Sequence, residues 1–430
     1  MRKLDENLVR EISRKRAEPD WLLDMRVDAL RKWRKMAEPH WGEIEYSAID
    51  YDSLNYFNAP AKIDNSDLAE TYKRMNLPEA EQKALLGMAT DTIIDSKSVH
   101  TSYSDELRRL GIIFLPFSEA VAMHPDMVRA HLGSVIPAED NFFACLNMAV
   151  FSDGTFVYVP KSTKCPIDLA SYFRIETMNI GQFERTLIIA DEGAELSYME
   201  GCSAPRRPNH QLHSGCVEVI LGDGAAVKYA TVQNWADSIY NFVSKRARVG
   251  RGAKMFWTQV EVGSSKTWKY PSSVLAGEGA FSDFFSLSVT KGNQEADTGT
   301  KMIHLAPNTK SNVASFGAVS GKSRQTFRSA VRFESGDCAN RSACDTKIIG
   351  CDAQANAYPS FKTIDGGEYS HEARTGALDK SALHYLGCAG IKESEAEALL
   401  VAGIASPVLE RLPMEFLVES KQLIQLTMER

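Results

Sequence analysis

From Gly193 to Gly350 the chain sets apolar residues alternately with small or polar ones in short runs, and turn residues interrupt the runs at a nearly constant interval. The runs include Val217-Val219-Leu221, Val227-Tyr229-Thr231, Phe256-Thr258-Val260 and Phe285-Leu287-Val289, an alternation that turns one strand face toward a core. The interruptions fall at Gly193, Pro208-Asn209, Gly222, Asp237-Ser238, Gly250, Gly263, Gly277, Gly292, Pro307-Asn308, Gly321, Gly336 and Gly350, thirteen to fifteen residues apart. No helical insert between them is long enough for a crossover. The spacing therefore predicts a mainly β solenoid, a parallel β-helix with two breaks per coil. Such a scaffold is stiff, has an interior filled with side chains, and excludes the usual nucleotide-binding architectures from this stretch.

The periodicity changes on either side. Near the start, Pro19 at a first helical position precedes Trp21, Leu22, Met25, Ala29, Leu30, Trp33 and Met36, apolar residues at three- and four-residue steps that predict an amphipathic helix. A polar connection runs through Asp50-Tyr51-Asp52 to Asn58-Ala59-Pro60, and helical stretches follow around 79–87 and 121–132. After Ala373, helical spacing returns over 379–386, 393–402 and 407–428, a terminal helical group that can cap the solenoid or offer a docking face. The expected organisation is a mostly helical, loop-rich region over 1–145, a β-helix core over 146–373 and a C-terminal helical region over 374–430, joined without flexible linkers.

Composition narrows the chemistry. With 430 residues and 44% hydrophobic content a sizeable core is assured, while a net charge of -7 and a pI near 5.8 argue against a nucleic-acid surface. The charged start and the lack of a long apolar run predict a cytoplasmic protein with no membrane association. The eight cysteines, at 145, 165, 202, 216, 338, 344, 351 and 388, are too sparse for a disulfide framework and form no Cys-x-x-Cys pair, so free thiols are expected.

No phosphate loop, H-E-x-x-H, G-x-S-x-G or helix-opening G-x-G-x-x-G occurs, and Gly250-x-Gly252 and Gly277-x-Gly279 read as strand-to-strand turns. The distinctive chemistry comes late, in Asp337 through Cys351 and in Glu368-Tyr369-Ser370-His371-Glu372-Ala373. Thiolate sulfur is the preferred ligand of iron in clusters, and carboxylate oxygen is a harder, weaker partner suited to a cluster that must leave. By spacing alone, Cys344 reads equally as a small buried filler, with His371 and Glu372 a satisfied polar corner.

Longer blocks alter that balance. They are Glu18-Pro19-x-Trp21, Met36-x-Glu38-Pro39-x-Trp41, Gly181 through Thr186, and Glu200-Gly201-Cys202-Ser203-Ala204-Pro205. Further along come Lys228-Tyr229-x-Thr231-Val232-Gln233-Asn234-Trp235, Asn241 through Ala247, Trp268-Lys269-Tyr270-Pro271, Ala296 through His304, and His371-Glu372-Ala373. Through these blocks nearly the whole chain resembles the SufB branch of the SufB/SufD family, scaffold subunits of the Suf iron-sulfur cluster assembly system.

The resemblance implies a right-handed parallel β-helix between helical ends. It also implies that Cys202 accepts sulfur from a cysteine desulfurase and its shuttle protein, and that Arg174, Gln233, Trp235 and Lys245 line an interior sulfur path to Cys344. There a nascent cluster, of 4Fe-4S type, would be held by Cys344, Glu372 and, as a further candidate ligand, His371. Positive charge near Cys202 is expected to lower its thiol pKa and keep a persulfide nucleophilic. The implied partners are the SufC ATPase docking on the C-terminal helices, a SufD paralogue or a second copy of the chain, and acceptor apoproteins; ATP hydrolysis belongs to SufC, so the chain itself is expected to be a scaffold rather than an enzyme. A reduced flavin, attributed to some family complexes, has no assignable site here because the turn between Trp235 and Tyr240 is short. The sequence departs from common family residues at Glu176, Ala343 and Ser370. A SufD-like subunit that does not assemble clusters is the alternative. A polysaccharide-acting β-helix enzyme fits less well, since neither a carboxylate groove nor calcium-binding aspartates are present.

Overall fold

The computed structural model describes residues 3–56, 88–94, 97–101, 104–175, 181–204, 208 and 210–428. The connection at Asn58-Ala59-Pro60, the helical stretch expected over 79–87, Glu176, Pro205 and Asn209 lie outside the described residues.

Each run between turns forms a strand of about ten residues, and successive strands go alternately to a ten-stranded and a nine-stranded sheet. Every strand therefore pairs in parallel with the next but one. Ala226–Trp235 pairs with Lys254–Gly263, for example, and that strand with Phe281–Thr290. Two strands make one coil, as the interval of turn residues predicts, and the two sheets face each other across a common interior. The sheets already recruit strands ahead of residue 145. Ala89–Ile94 lies beside Leu169–Arg174 in one sheet, and Ile113–Pro116 pairs antiparallel with Thr155–Val159 in the other.

The Gly-x-Gly pairs are turns in which the two glycines serve different needs. Gly252 and Gly279 adopt φ of 63° and 69°, the left-handed region that glycine enters without a Cβ penalty. Gly250 and Gly277 instead allow turns of adjacent coils to stack, because a Cβ there would lie 2.8 Å from the Leu221 carbonyl oxygen and 2.0 Å from the Arg251 nitrogen.

Both outer faces are covered. On the nine-stranded sheet, Phe183, Leu187, Leu212, Phe242 and Trp268 pack against helices Glu6–Lys15, Asp20–Trp33 and Phe142–Val150. Pro19 is the N-cap of Asp20–Trp33 rather than its first helical residue. A buried ion pair joins this region to the solenoid: Glu218 accepts from Arg185 at 2.7 Å and from the backbone amides of Gly133, Val135 and Ile136 at 2.9 Å. On the ten-stranded sheet, Val232, Val260, Leu287 and Val289 receive Leu409, Phe416 and Ile424 from the C-terminal helices. Arg411 clamps that contact, bonding Asp283 at 3.0 Å with its guanidinium over the Phe285 ring. The C-terminal helices thus take a flank of the solenoid rather than its end, because the outer face of these strands is itself apolar. The last coil, Gln354–Thr363 with Glu368–Ala377, is left open, with Tyr358, Phe361 and Ile364 exposed.

Candidate functional site

Strand register sorts the interior into rows. In the ten-stranded sheet one inward row runs Glu200, Thr231, Gln259, Ser286, Ser315, Cys344, and the next runs Cys202, Gln233, Glu261, Ser288, Gly317, Thr346. Cys202 and Cys344 thus stand in adjacent polar rows, five strand steps apart, or about 24 Å at the ordinary strand spacing. Lys245, Lys269, Thr300 and Ser329 are buried on the facing strands. The rest of the bore is apolar, filled by Val219, Trp257, Phe284, Val313 and Val331. One half of the interior holds the coils together, and the other is a buried polar lane with a thiol at each end.

At the first end Cys202 packs with Phe173, Ile175, Trp235 and Ile239. Its sulfur lies 3.8 Å from a Glu200 carboxylate oxygen and 3.7 Å from the Gln233 carboxamide. That carboxamide satisfies its neighbours when its oxygen accepts from Lys269 at 3.2 Å and its nitrogen donates to Glu261. Glu200 accepts from Lys245 at 2.7 Å and from the Tyr229 hydroxyl, and Lys245 also donates to Thr231 at 2.9 Å. Lys269 donates to Glu261, and His213 bridges Asn241 and Glu184 at 2.8 and 3.3 Å. The charges are therefore matched in pairs. Burial raises the Glu200 carboxyl, but Lys245 and Lys269 outweigh it and hold the group at about 2. Burial draws the Lys245 ammonium down to about 8, so the pair is ionised at neutral pH.

Two expectations are corrected here. Burial, reinforced by Glu200 and Glu184, pushes the Cys202 thiol well above its ordinary range, and the two lysines do not offset them. Both ammoniums that act on the thiol are spent on carboxylates, so the resting thiol keeps its proton. Arg174 does not line the bore either. Its strand neighbour Phe173 pairs with Cys202 and faces inward, which turns Arg174 outward, where it donates to the Ser203 hydroxyl at 3.1 Å. Gln233, Trp235 and Lys245 do face the interior, and the Trp235 ring lies 4.8 Å from that of His213.

At the other end Cys344 is 5% exposed and pairs in register with Ala373. Burial raises its thiol, an effect partly offset by a hydrogen bond from the Arg374 backbone and reinforced by Asp345. His371 stands opposite Ser342 on the inner side, and both ring nitrogens lack protein partners. Glu372 stands opposite Ala343 and emerges on the outer face, exposed and bonded to Arg374 at 2.8 Å. Strand alternation thus parts Glu372 from Cys344 although their strands are neighbours. Among the described residues, no group of three or more His, Cys, Asp or Glu side chains is arranged to hold a metal within one chain.

A second buried network lies behind this end. Cys338 contacts the Thr309 hydroxyl at 3.3 Å, and His304 bonds Thr309 and Ser311, each at 2.8 Å. Ser311 in turn accepts from Asn340 at 2.8 Å, and Asn340 accepts from Ser342 at 2.6 Å. Burial draws the His304 imidazole from 6.5 down to about 4. Between those values the unfolded chain binds more protons than the folded one, so stability is full above about pH 6.5 and falls as pH drops toward 4, by about 3 kcal/mol from this group. His304→Asn is expected to flatten that fall in urea-unfolding midpoints measured across the window; an identical slope in the variant would exclude His304 as its source.

Sequence reasoning missed Glu200, Glu261, Lys269, His213 and Glu184. The signal for Glu200 and Glu261 was available: residues 200, 231, 259, 286, 315 and 344, and residues 202, 233, 261, 288, 317 and 346, follow one another at nearly the coil period and define two rows. Pairing across the bore had no such signal.

Comparison with known proteins agrees with this architecture. A family model described as the SufBD core domain of the SUF system for FeS cluster assembly matches residues 173–404, and one for the SufBD N-terminal region matches 15–169. An iron-sulfur cluster assembly SufBD family protein of Synechocystis is 45% identical, covering 100% of this chain and 93% of the relative. A chloroplastic SufBD family protein of Arabidopsis thaliana is 42% identical, covering 99% of this chain and 80% of the relative, and one from Staphylococcus epidermidis is 40% identical over 100% and 94%. With a two-sheet solenoid, a lane ending in two buried thiols and family matches along nearly its full length, the chain belongs to the SufBD family of iron-sulfur cluster assembly proteins.

Proposed function

We propose that this chain is a SufB-type scaffold in which Cys202 receives sulfane sulfur, the polar lane carries it inward, and Cys344 collects it for a cluster of 4Fe-4S type. The observation that carries the reading is the polar lane itself, since a β-solenoid needs only apolar side chains to fill its bore. Two cysteines at opposite ends of one such lane suit delivery and assembly, and a SufD-like subunit without assembly would need neither. The cluster is cargo, built from delivered sulfur and iron.

Acceptance requires Cys202 to give up the proton that burial holds on it. As its sulfur bonds to the sulfane sulfur of a donor persulfide, the donor's sulfur-sulfur bond breaks and the proton passes to the departing donor thiolate. The persulfide so formed is more acidic than the thiol, and Lys245, held on Glu200, and Lys269 are cations within reach of its charge.

The open last coil supports pairing with a SufD paralogue or a second copy. Its two strands present sheet edges, and Phe361 stacks on Tyr369 at 4.2 Å between ring centroids at the mouth. Pairing there would let a partner complete a ligand set that Cys344, His371 and Glu372 do not close alone. The C-terminal helices turn Tyr385, Leu399 and Val418 outward, exposed by 74%, 51% and 45%, and this face suits the SufC ATPase.

Anaerobic incubation with a sulfane-sulfur donor, followed by mass mapping of cysteine peptides, tests the reading. Persulfide is expected on Cys202 and then on Cys344 in the native chain, and on neither in Cys202→Ser. Removing Lys245 alone would strand the buried Glu200 charge at a cost of about 3–5 kcal/mol, so the informative variant is Lys245→Met with Glu200→Gln. Loading of Cys344 is expected to slow about tenfold in that double variant. Equal loading of Cys344 in Cys202→Ser and the native chain would refute the route.

A further inference from the structure

Any sulfur that reaches Cys344 from Cys202 must cross a stretch without a thiol. No cysteine occurs in the sequence between Cys216 and Cys338, and Cys216 itself faces away from the bore, packed with Ile136 and Ala144. Hand-to-hand persulfide exchange needs thiols within bonding distance of one another, and about 24 Å of strand stacking separates these two.

The lane also changes character along its length. Its charges, Glu200, Lys245, Glu261 and Lys269, are gathered at the Cys202 end and already paired. Beyond Lys269, among the described residues, its inward polar side chains are uncharged, including Ser286, Ser288, Thr300, Ser315, Gln325 and Ser329. Gln259, Ser288, Thr300, Gln325 and Ser329 are each at most 4% exposed, yet each keeps a side-chain oxygen without a protein hydrogen-bond partner. Each such oxygen costs about 1–3 kcal/mol if left unsatisfied, which is a strong reason for a close-packed interior to avoid them. At Gly317 a Cβ would lie 2.6 Å from the Gln325 carboxamide and 2.9 Å from the Thr346 hydroxyl, so the missing side chain leaves room for polar groups to meet in the lane.

We propose that sulfur crosses this lane as a free, uncharged inorganic molecule, hydrogen disulfide, with hydrogen sulfide as the returning carrier. The inference rests on the reading of Cys202 as acceptor and Cys344 as destination. Hydrogen sulfide attacks the outer sulfur of the Cys202 persulfide; the bond between that sulfur and Cys202 breaks, a new sulfur-sulfur bond forms, and the thiol of Cys202 is restored with the released proton. At the far end the Cys344 sulfur attacks hydrogen disulfide, its sulfur-sulfur bond breaks, and hydrogen sulfide leaves with the displaced proton. The two exchanges sum to transfer of one sulfur atom from Cys202 to Cys344, with no net oxidation and with the carrier regenerated. A neutral carrier suits the second half of the lane, where no charged side chain would compensate an anion in a water-poor interior. Its S–H groups are donors, matching the unpartnered oxygens.

The experiment uses the full chain, isotopically heavy, with Cys202 loaded with labelled sulfane sulfur and excess donor removed under anaerobic conditions. It is mixed with an excess of light Cys202→Ser chain, and sodium sulfide is added below stoichiometry. Mass mapping then follows the label on Cys202 and Cys344 of each population. The label is expected to reach Cys344 of the same heavy molecules about tenfold faster with sulfide than without it, and to leave the light chains unlabelled. Transfer at the same rate without sulfide would overturn the carrier. Label spread evenly over heavy and light chains would overturn passage through the lane. Failure of Cys202 to take up label at all would instead refute its role as acceptor, which separates that reading from this one.

Discussion

Cys344→Ser is expected to abolish the thiolate-to-iron absorption band that the native chain develops on anaerobic reconstitution with iron, sulfide and a reductant, and to lower bound iron by at least about tenfold. The exchange replaces one atom at a position 5% exposed, so folding should change little. What changes is chemistry: an alcohol oxygen is a hard, weakly acidic donor, and it neither carries a persulfide nor competes with thiolate for iron in a cluster. The comparison that sharpens the result is Glu372→Ala. Glu372 is exposed, bonded to Arg374 and on the opposite face of its sheet from Cys344, so its loss should matter chiefly once a partner covers the last coil. An undiminished band in Cys344→Ser would remove this thiol from the assembly site, and with it the main reason for preferring a SufB-type over a SufD-like role.

The second large effect concerns folding. Glu218→Ala is expected to destabilise the junction between the N-terminal helices and the solenoid by about 3–5 kcal/mol. Arg185 and Glu218 are both fully buried, and the carboxylate also accepts from three backbone amides of the 133–136 turn. Truncation leaves an unpaired guanidinium and orphaned N–H groups together, which is costlier than the loss of one bond. The urea midpoint should fall, and limited proteolysis should cut first near residue 133. Glu218→Gln, which keeps the shape and some acceptors, should lie between. A native midpoint in Glu218→Ala would mean that the apolar contacts of Phe183, Leu187 and Phe242 hold the helices without the ion pair.

The solenoid was readable because its signal is one-dimensional. A coil repeats the same short-range rule, strand then turn, so the interval from Gly222 through Gly350 already carries the sheet order. The helices at both ends were readable for the same reason, although their resting place on a flank rather than the open end was not, since it depends on which outer rows are apolar. The site divides similarly. Cys202, Gln233, Trp235, Lys245 and Cys344 took inward positions through alternation along their strands, whereas Arg174 and Glu372 fell on the other side by the same rule.

Electrostatics was the least legible part. Lysine near a cysteine in sequence blocks suggests an activated thiol, but Lys245 reaches Glu200 first, and burial then leaves Cys202 protonated. Turn spacing and alternation, both local along the backbone, were enough to determine a two-strand coil and the side each residue takes. Stacking alone decided which side chains meet: it set Glu200 against Lys245 across the bore and aligned unpartnered oxygens into a lane, because those contacts join residues a coil or more apart.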